Sequence, residues 1–344
     1  MNIKIFTFFY SNNYGALIQA LSLKEFLSNN SNAEVKFANY QPKNLLYREI
    51  YRPIIKKNLL DSIKNLIKSY RIRNWKKSKK LPKPTQNKEI QNTSLSVYGS
   101  DAIWMIFSYL GFQPYYFGDK NDGYKISYAA SIGPTIYQES EGEIKEKIKL
   151  LLNRFDHISV RDTNTAELVK QVTGRQPQIV VDPIFLTDLN FLDFKKKKEN
   201  FILVYGVVFS KEEKLKIIKF SKSKNLKIIS IGYYNNWVDK NYIYANPEEF
   251  LSYISQANYV FTSMFHGIMF SVKFKKNFWY SQDRIRTNKI GYFIDNLDLS
   301  NRLIEKSENF SEEIDYIEVD KKLQPWIKSS KDYLTMCIRE KGLL

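Results

Sequence analysis

The 344-residue chain is 43% hydrophobic and 26% charged, and its formal net charge at pH 7 is +17. This composition is ordinary for a soluble globular protein, and the chain is long enough for two domains with separate cores. The single cysteine, Cys337, excludes an internal disulfide framework and indicates a reducing compartment such as the cytoplasm. One cysteine and two histidines also argue against a zinc site built by the protein, so we expect no metal and no cofactor.

The chain alternates apolar strands with helices. The run 2–9 predicts a strand rather than a signal peptide, because Lys4 interrupts it and no small-residue cleavage site follows. Further strands are predicted over 34–40, 94–98, 125–129, 158–160 and 179–181, and helices over 16–27, 139–153 and 163–172. No apolar run approaches the roughly 18 residues that a membrane-spanning helix needs.

The same alternation returns after a linker at 190–200. Strands are predicted over 201–208, 227–231, 259–261 and 278–280, and helices over 211–222, 247–256, 267–274 and 290–296. Strands that alternate with helices twice over predict two doubly wound, Rossmann-like α/β domains that face a cleft. We place these domains at 1–189 and 200–300, followed by a partly helical C-terminal tail, 301–344.

Residues 43–88 form a basic insert in the first domain. They contain 15 lysines and arginines but only two acids, and so carry +13 of the net charge of +17. Apolar residues recur among the lysines at helical spacing, at Ile55, Leu59, Ile63, Ile67 and Tyr70. Such a helix is typical of an element that meets a membrane surface or another anionic partner, and a core-packed helix with a solvated lysine face is the competing interpretation. Nucleic acid would also match the charge, but no nucleic-acid-binding motif is present, so we expect none.

Chemically useful side chains follow three predicted strands. Asp101 comes after the strand 94–98, Arg161 directly follows the strand 158–160, and His266 with Gly267 follows the strand 259–261. Ligands bind at the carboxyl ends of parallel strands, where the amides at helix N-termini point outward. Each residue also has a structural alternative: a helix cap for Asp101, an ion pair for Arg161, and a backbone contact in the core for His266.

The loop after the first strand ends in Asn13, Tyr14 and Gly15. An asparagine there can cap the following helix, and a glycine permits a tight turn. The same residues can instead present backbone amides to an anion. The sequence leaves the structural and the functional interpretation open.

Six motifs occur in an order that resembles one known family. They are Tyr14-Gly15-Ala16 with Gln19-Ala20, Gly99-Ser100-Asp101 with Trp104, Tyr128-Ala129-Ala130-Ser131 with Gly133, Ser159-Val160-Arg161-Asp162, Asp182-Pro183, and Phe265-His266-Gly267 with Phe270-Ser271. With these motifs in register, the chain resembles the polysaccharide pyruvyl transferase family from residue 3 to residue 300. Met264 stands where the family usually has serine.

The resemblance implies a GT-B-like two-domain fold and transfer of pyruvate from phosphoenolpyruvate to a sugar, usually as a ketal across two hydroxyls. The acceptor it implies is a saccharide, often lipid-linked, in the assembly of bacterial capsule, exopolysaccharide or cell-wall polymer. We therefore expect a cytoplasmic protein that is peripheral at the inner face of the membrane, with the insert 43–88 on an anionic lipid surface. Two alternatives are a GT-B-type glycosyltransferase with a nucleotide-sugar donor and a non-catalytic carbohydrate-binding member of a polymer assembly complex.

Phosphoenolpyruvate carries a phosphate and a carboxylate, so its site needs two cationic groups, an acid for the methylene carbon and a base for the sugar hydroxyl. On the resemblance, His266 supplies acid/base chemistry or a phosphate contact, Arg161 holds an anionic group, and Asp101 is the candidate base. The remaining candidates are Gly267, Arg284, Arg286 and Lys289 for the donor, and Asn13, Tyr14 and Gly15 for the acceptor.

Overall fold

The computed structural model describes residues 1–40, 42, 59–83, 85, 93–106, 111–119, 123–133, 142–194, 200–281 and 287–344. Within these ranges, eleven strands form two sheets, and the strand pairings are parallel throughout. The strands are β1 (Asn2–Phe6), β2 (Glu34–Phe37), β3 (Leu95–Tyr98), β4 (Lys125–Ala130), β5 (His157–Val160), β6 (Gln178–Ile179), β7 (Phe201–Tyr205), β8 (Lys227–Ile231), β9 (Lys240–Tyr242), β10 (Tyr259–Thr262) and β11 (Asn277–Tyr280).

The two sheets have separate strand orders. The N-terminal sheet runs β2-β1-β3-β4-β5-β6, and the C-terminal sheet runs β11-β10-β7-β8-β9. Strands such as β4 and β7 are buried along their whole length, which is typical of parallel sheets covered on both faces. The predicted fold class, two doubly wound α/β units in a GT-B-like arrangement, is confirmed.

Nine α-helices accompany the strands in the described ranges. They are α1 (Tyr14–Asn29), α2 (Leu59–Ser78), α3 (Gly142–Leu152), α4 (Thr163–Thr173), α5 (Lys211–Lys224), α6 (Pro247–Gln256), α7 (Phe265–Lys273), α8 (Thr287–Asn296) and α9 (Tyr316–Glu340). Local chemistry explains several starts: Ser210 and Asn246 each form a reciprocal capping box with a glutamate three residues later. The side chain of Asp162 likewise caps α4.

The sequence placed most elements correctly, with three informative differences. Helices α1 and α7 each begin two residues earlier than predicted, so that Gly15 and His266 lie inside first helical turns rather than in loops. The short polar strand β9 was not predicted, because three residues at a sheet edge carry no hydrophobic period. The tail forms one 25-residue helix, α9, which continues through Pro325.

Helix α9 connects the two halves of the molecule. Near its start, the hydroxyl of Tyr316 donates to the carbonyl of Lys276 beside β11, at 2.6 Å. Further along, the hydroxyl of Tyr333 donates to the carbonyl of Ser127 in β4, at 2.9 Å. The helix therefore starts on the C-terminal sheet and ends on the N-terminal sheet. The division of the chain into domains at 189 and 200 stays a prediction.

Most of the described part of the basic insert is the helix α2, which contacts both halves. Its inner face buries Ile72 and Trp75, and the Trp75 indole donates to Glu248 at the start of α6, at 3.0 Å. Arg71 pairs with Glu249 on the same helix turn of α6, at 2.6 Å. On the N-terminal side, the ammonium group of Lys76 donates to the carbonyl of Tyr10. Residues 43–58, 84 and 86–88 of the insert lie outside the described part.

Candidate active site

Two carboxylates, a guanidinium and an imidazole meet between the carboxyl edges of the two sheets. Arg161 follows β5, Asp101 follows β3, and Asp182 opens a short 3₁₀ turn after β6. His266 lies in the first turn of α7, which follows β10 of the other sheet. Three of the residues come from the N-terminal half and one from the C-terminal half, so this cluster exists only while the two halves are docked.

Asp182 is the centre of the cluster. One of its oxygens, Oδ2, lies 3.1 Å from Nη1 of Arg161 and 3.6 Å from Nε2 of His266. The other oxygen accepts a hydrogen bond from the amide of Ile184, at 3.2 Å. Burial alone would raise the pKa of the fully buried Asp182 carboxyl, but His266, Arg161 and the Ile184 amide outweigh it, and this pKa lies below its ordinary value. Asp182 is therefore held as a carboxylate.

Arg161 and His266 retain unused hydrogen-bonding capacity. Both side chains are more than nine-tenths buried. Nε of Arg161 and Nε2 of His266 have no hydrogen-bond partner among the described residues. The 3.6 Å between Nε2 of His266 and Asp182 exceeds an ordinary hydrogen bond, although it is within ion-pair reach. Buried polar atoms without partners are costly, and a ligand that binds here would satisfy them.

A helix N-terminus adds positive potential at the same place. Met264 precedes α7, and its side chain cannot cap the helix; no side-chain cap is formed. The first-turn amides of an α-helix have no intrahelical acceptors, and they carry the positive end of the helix dipole. The ring of Phe265 in this turn lies under the guanidinium of Arg161, 4.3 Å from the Cζ atom to the ring centroid. Together these groups form a site suited to an anion.

Asp101 contacts a different nitrogen of Arg161 from the one that Asp182 contacts. Its Oδ1 is 3.5 Å from Nη2 of Arg161, and the same oxygen accepts from the amide of Ala102 at 2.8 Å. The backbone of Asp101 has φ +76°, a left-handed conformation that aspartate tolerates better than most residues. Two hydrogen bonds fix the residue before Asp101. The carbonyl of Ser100 accepts from Thr7 at 3.0 Å, and the hydroxyl of Ser100 donates to Gln19. Asp101 is thus placed by a buried polar network.

The predicted acceptor residues lie at the start of α1, next to this cluster. Asn13 caps the helix through its side-chain oxygen, which accepts from the amide of Ala16 at 3.3 Å. The backbone of Gly15 is packed against the ring of His266. Tyr14 is buried, and its hydroxyl donates to the carbonyl of Ala245 in the C-terminal half, at 2.7 Å. This hydrogen bond from Tyr14 therefore connects the two halves.

The predicted donor residues are placed only in part. Gly267 lies in the first turn of α7, where its small size admits Thr262: a Cβ atom at 267 would lie 2.0 Å from Oγ1 of that threonine. Lys289 lies in the first turn of α8, and the structure describes its backbone but not its side chain. Arg284 and Arg286 lie outside the described residues. Within the described part of the chain, no three histidine, cysteine or acidic side chains are grouped as a metal site requires.

Asp182 was not among the site residues predicted from the sequence, although the pair Asp182-Pro183 was one of the motifs that carried the family resemblance. Its signal was the one used for Asp101 and Arg161: a charged residue directly after a predicted strand. Asp162, the neighbour of Arg161 in the sequence, does not pair with it but caps α4. Its carboxylate accepts from Ser131 at 2.6 Å and from the amide of Thr165 at 2.8 Å.

The fold thus places a buried cluster of charged side chains between the halves of a two-sheet α/β protein. The family model for polysaccharide pyruvyl transferase matches residues 13–280. The chain therefore belongs to the polysaccharide pyruvyl transferase family and is a transferase of polysaccharide biosynthesis. A search of curated proteins gives no match.

Solved structures show the same architecture at low identity. A UDP-N-acetylglucosamine 2-epimerase is 10% identical, with a TM-score of 0.54, and the match covers 99% of this chain and 97% of that one. The Methanocaldococcus jannaschii UDP-GlcNAc 2-epimerase, solved with UDP-GlcNAc and UDP, is 11% identical, with a TM-score of 0.52 and coverage of 98% and 99%. These likenesses show the GT-B-type fold alone.

Proposed function

We propose that this transferase moves pyruvate from phosphoenolpyruvate onto two hydroxyls of a sugar, as a ketal. The observation that supports the proposal most directly is the buried pair of Arg161, whose Nε has no hydrogen-bond partner among the described residues, and His266, in the first turn of α7. A small donor with a carboxylate and a phosphate has the charge and size that such a site would take.

In the proposed reaction, His266 donates a proton to the methylene carbon of phosphoenolpyruvate, which leaves an oxocarbenium-like centre at the neighbouring carbon. The first sugar hydroxyl adds to that centre and gives its proton to a base, for which Asp101 is the candidate. The bond to the phosphate oxygen then breaks, and phosphate leaves. The second hydroxyl adds to the same carbon and its proton passes to the released phosphate, while the proton on Asp101 returns through solvent to His266. The products are the ketal and inorganic phosphate, and both residues are restored.

Each proposed role follows from a position in the cluster. Arg161 holds the carboxylate or the phosphate through its Nε, and Asp182 keeps Arg161 and His266 oriented. The start of α7, with Gly267 in its first turn, would contribute the positive end of its helix dipole to donor binding. Arg284, Arg286 and Lys289 are candidates for a second cation. Asn13 and Gly15 adjoin the acceptor side, and Tyr14 keeps that side fixed to the C-terminal half.

The acceptor we propose is a lipid-linked oligosaccharide or a surface polysaccharide, such as a capsule or exopolysaccharide precursor. A lipid carrier would hold the acceptor at the cytoplasmic face of the membrane, and the protein would then act there as a peripheral enzyme. No described helix is both long enough and apolar enough to cross a membrane.

Donor binding measured by calorimetry tests the proposal without knowledge of the acceptor. Wild type, His266→Ala and Arg161→Ala are titrated with phosphoenolpyruvate and with a panel of nucleotide sugars. His157→Ala is the matched control, because the chain's other histidine lies away from the cleft and contacts Glu340 at 2.7 Å. Binding of phosphoenolpyruvate that weakens at least about tenfold in the two cleft variants, but not in the control, supports the proposal. Binding of a nucleotide sugar in place of phosphoenolpyruvate favours the glycosyltransferase alternative.

A further inference from the structure

Helix α2 has an outer face that is apolar in its first half and basic in its second. Ile63, Leu66, Ile67 and Tyr70 are 44%, 48%, 40% and 65% exposed. Their spacing of three, four and seven residues places them in one stripe along the helix. The stripe continues through Arg73 and Lys77, which are also exposed. We call these six residues the outer stripe.

The opposite face of α2 already has its partners inside the protein. Lys68 donates to the carbonyl of Gly232 at 2.7 Å, Arg71 pairs with Glu249 at 2.6 Å, and Lys79, just beyond the helix, pairs with Glu248 at 2.5 Å. These contacts fix the rotation of the helix about its axis. The outer stripe is therefore held outward by the fold.

The charge of this segment favours an anionic partner. Residues 62–80 contain eight lysines and arginines and no acid. A stripe of large apolar side chains that continues into the exposed Arg73 and Lys77 matches a lipid headgroup region, where apolar groups enter the acyl boundary and cations meet anionic headgroups. A protein groove would instead have to be both apolar and acidic along the same line.

We infer that the outer stripe of α2 is a docking surface for an anionic phospholipid membrane. This inference deepens the proposed function. It rests on that function in one respect: docking would bring the cleft to a lipid-linked acceptor. The position of α2 fits that purpose. Lys76 on its inner face contacts Tyr10 and, at 3.3 Å, Oδ1 of Asn12, beside the proposed acceptor residue Asn13. A membrane on the outer stripe would therefore lie on the acceptor side of the cleft.

The test is sedimentation of the full-length protein with vesicles, with no donor or acceptor present. One set of vesicles mixes phosphatidylcholine with phosphatidylglycerol, and the other contains phosphatidylcholine alone. The apolar variant is Ile63→Ser/Leu66→Ser/Ile67→Ser, and the charge variant is Arg73→Gln/Lys77→Gln. The matched control is Leu215→Ser/Lys219→Gln on α5, where Leu215 is 66% exposed on another basic helix.

We expect wild type to pellet with the anionic vesicles at low salt and to be released as the salt rises. The apolar variant loses at least about tenfold in vesicle partition, because three apolar side chains no longer enter the interface. The charge variant is weakened mainly at low salt, and the α5 control pellets as wild type does. The substituted side chains are exposed, so circular dichroism and the unfolding midpoint should be unchanged.

Three results would overturn the inference: no pelleting of wild type, equal pelleting with neutral vesicles, or equal pelleting of the apolar variant and wild type. Phosphoenolpyruvate titrations of the apolar variant in lipid-free solution separate this inference from the proposed function. Lost vesicle binding with intact donor binding supports the docking surface. Vesicle binding without any donor binding would keep the surface and reject the proposed reaction.

Discussion

The backbone of Gly15 lies directly against the imidazole of His266: a Cβ atom at position 15 would fall 2.1 Å from Cγ and 2.2 Å from Nδ1 of that ring. Gly15 belongs to the first turn of α1, and His266 to the first turn of α7. The two helices follow β1 and β10, which belong to different sheets. At this contact, the two halves of the molecule are in van der Waals contact at the cleft.

Gly15→Ala is expected to displace the imidazole while the fold survives. A displacement of about 1 Å in a positioned group can lower kcat/KM by about a hundredfold, and we expect a loss of that order. Steady-state kinetics of pyruvate transfer is the measurement. Unchanged kcat/KM in this variant would show that the ring position is not critical.

Gly142→Ala is the matched control for that substitution. Gly142 is also in the first turn of a helix, α3, but a Cβ atom there meets nothing within 4 Å. Alanine is the better helix former, so this variant should be as active as wild type and no less stable.

Asp182→Asn is expected to lower both stability and activity. The substitution leaves the buried guanidinium of Arg161 without its closest counter-charge, which costs about 3 kcal/mol of unfolding free energy. Equilibrium urea unfolding measures this loss. Asp332→Asn, at an exposed site on α9, should stay within about 0.5 kcal/mol of wild type.

The pH dependence of the Asp182 effect has a definite sign. The pKa of this carboxyl is lowered from its ordinary 3.8, so the stabilisation it gives is present above pH 3.8 and is lost as the pH falls through the lower folded value. The stability difference between wild type and Asp182→Asn should therefore be large near neutrality and shrink in acid. A difference that grew in acid would contradict the assignment.

The sequence located the strand ends that carry Asp101, Arg161 and His266, because buried parallel strands have a clear apolar signal and ligands gather at their carboxyl ends. It did not predict that Asp182 contacts His266, since the two side chains come from different sheets and meet only through docking of the halves. The hydrogen bond from Tyr14 to Ala245 spans 231 residues for the same reason. Local patterns specify elements, whereas contacts between the halves depend on packing that no single segment contains.

The basic insert shows a related limit. Its helical period was visible, but a period alone does not say which face is covered. The structure buries Ile72 and Trp75 and leaves Ile63 and Ile67 exposed, although all four are large apolar residues. Contacts with other elements, above all with Glu248 and Glu249, determine which side chains of α2 face inward.

Substitution of Met264 tests the start of α7 as an anion site. Met264→Asn and Met264→Asp have nearly the same shape, and both side chains can cap the helix. Only the aspartate adds negative charge, which stabilises the helix end by about 0.3–1 kcal/mol relative to asparagine. The same charge repels an anionic donor, so Met264→Asp should bind phosphoenolpyruvate at least about fivefold more weakly than Met264→Asn.

Stability and affinity should thus move in opposite directions between these two variants, which a general loss of folding cannot produce. Calorimetry gives the affinity, and urea unfolding gives the stability. Equal affinity of the two variants for phosphoenolpyruvate would mean that the donor binds away from the start of α7.

Glu340→Gln is expected to weaken the attachment of the C-terminal helix without touching the cleft. One oxygen of Glu340 accepts from the hydroxyl of Tyr124 at 2.6 Å and lies 2.7 Å from Nε2 of His157. These contacts hold the pKa of Glu340 below its ordinary 4.5, Tyr124 contributing most and His157 next. The stabilisation is therefore present above pH 4.5 and is lost as the pH falls through the lower folded value.

The unfolding midpoint of Glu340→Gln should be lower than that of wild type at neutral pH, and the two should converge in acid. Glu318→Gln is the control, because Glu318 pairs with Lys321 on the same exposed stretch of α9, and such pairs contribute little. Donor affinity should be unchanged in both variants, since Glu340 contacts His157 at the amino end of β5, whereas the cleft residue Arg161 follows the carboxyl end of that strand. A fall in donor affinity with an unchanged unfolding midpoint would instead connect this end of α9 to the active site.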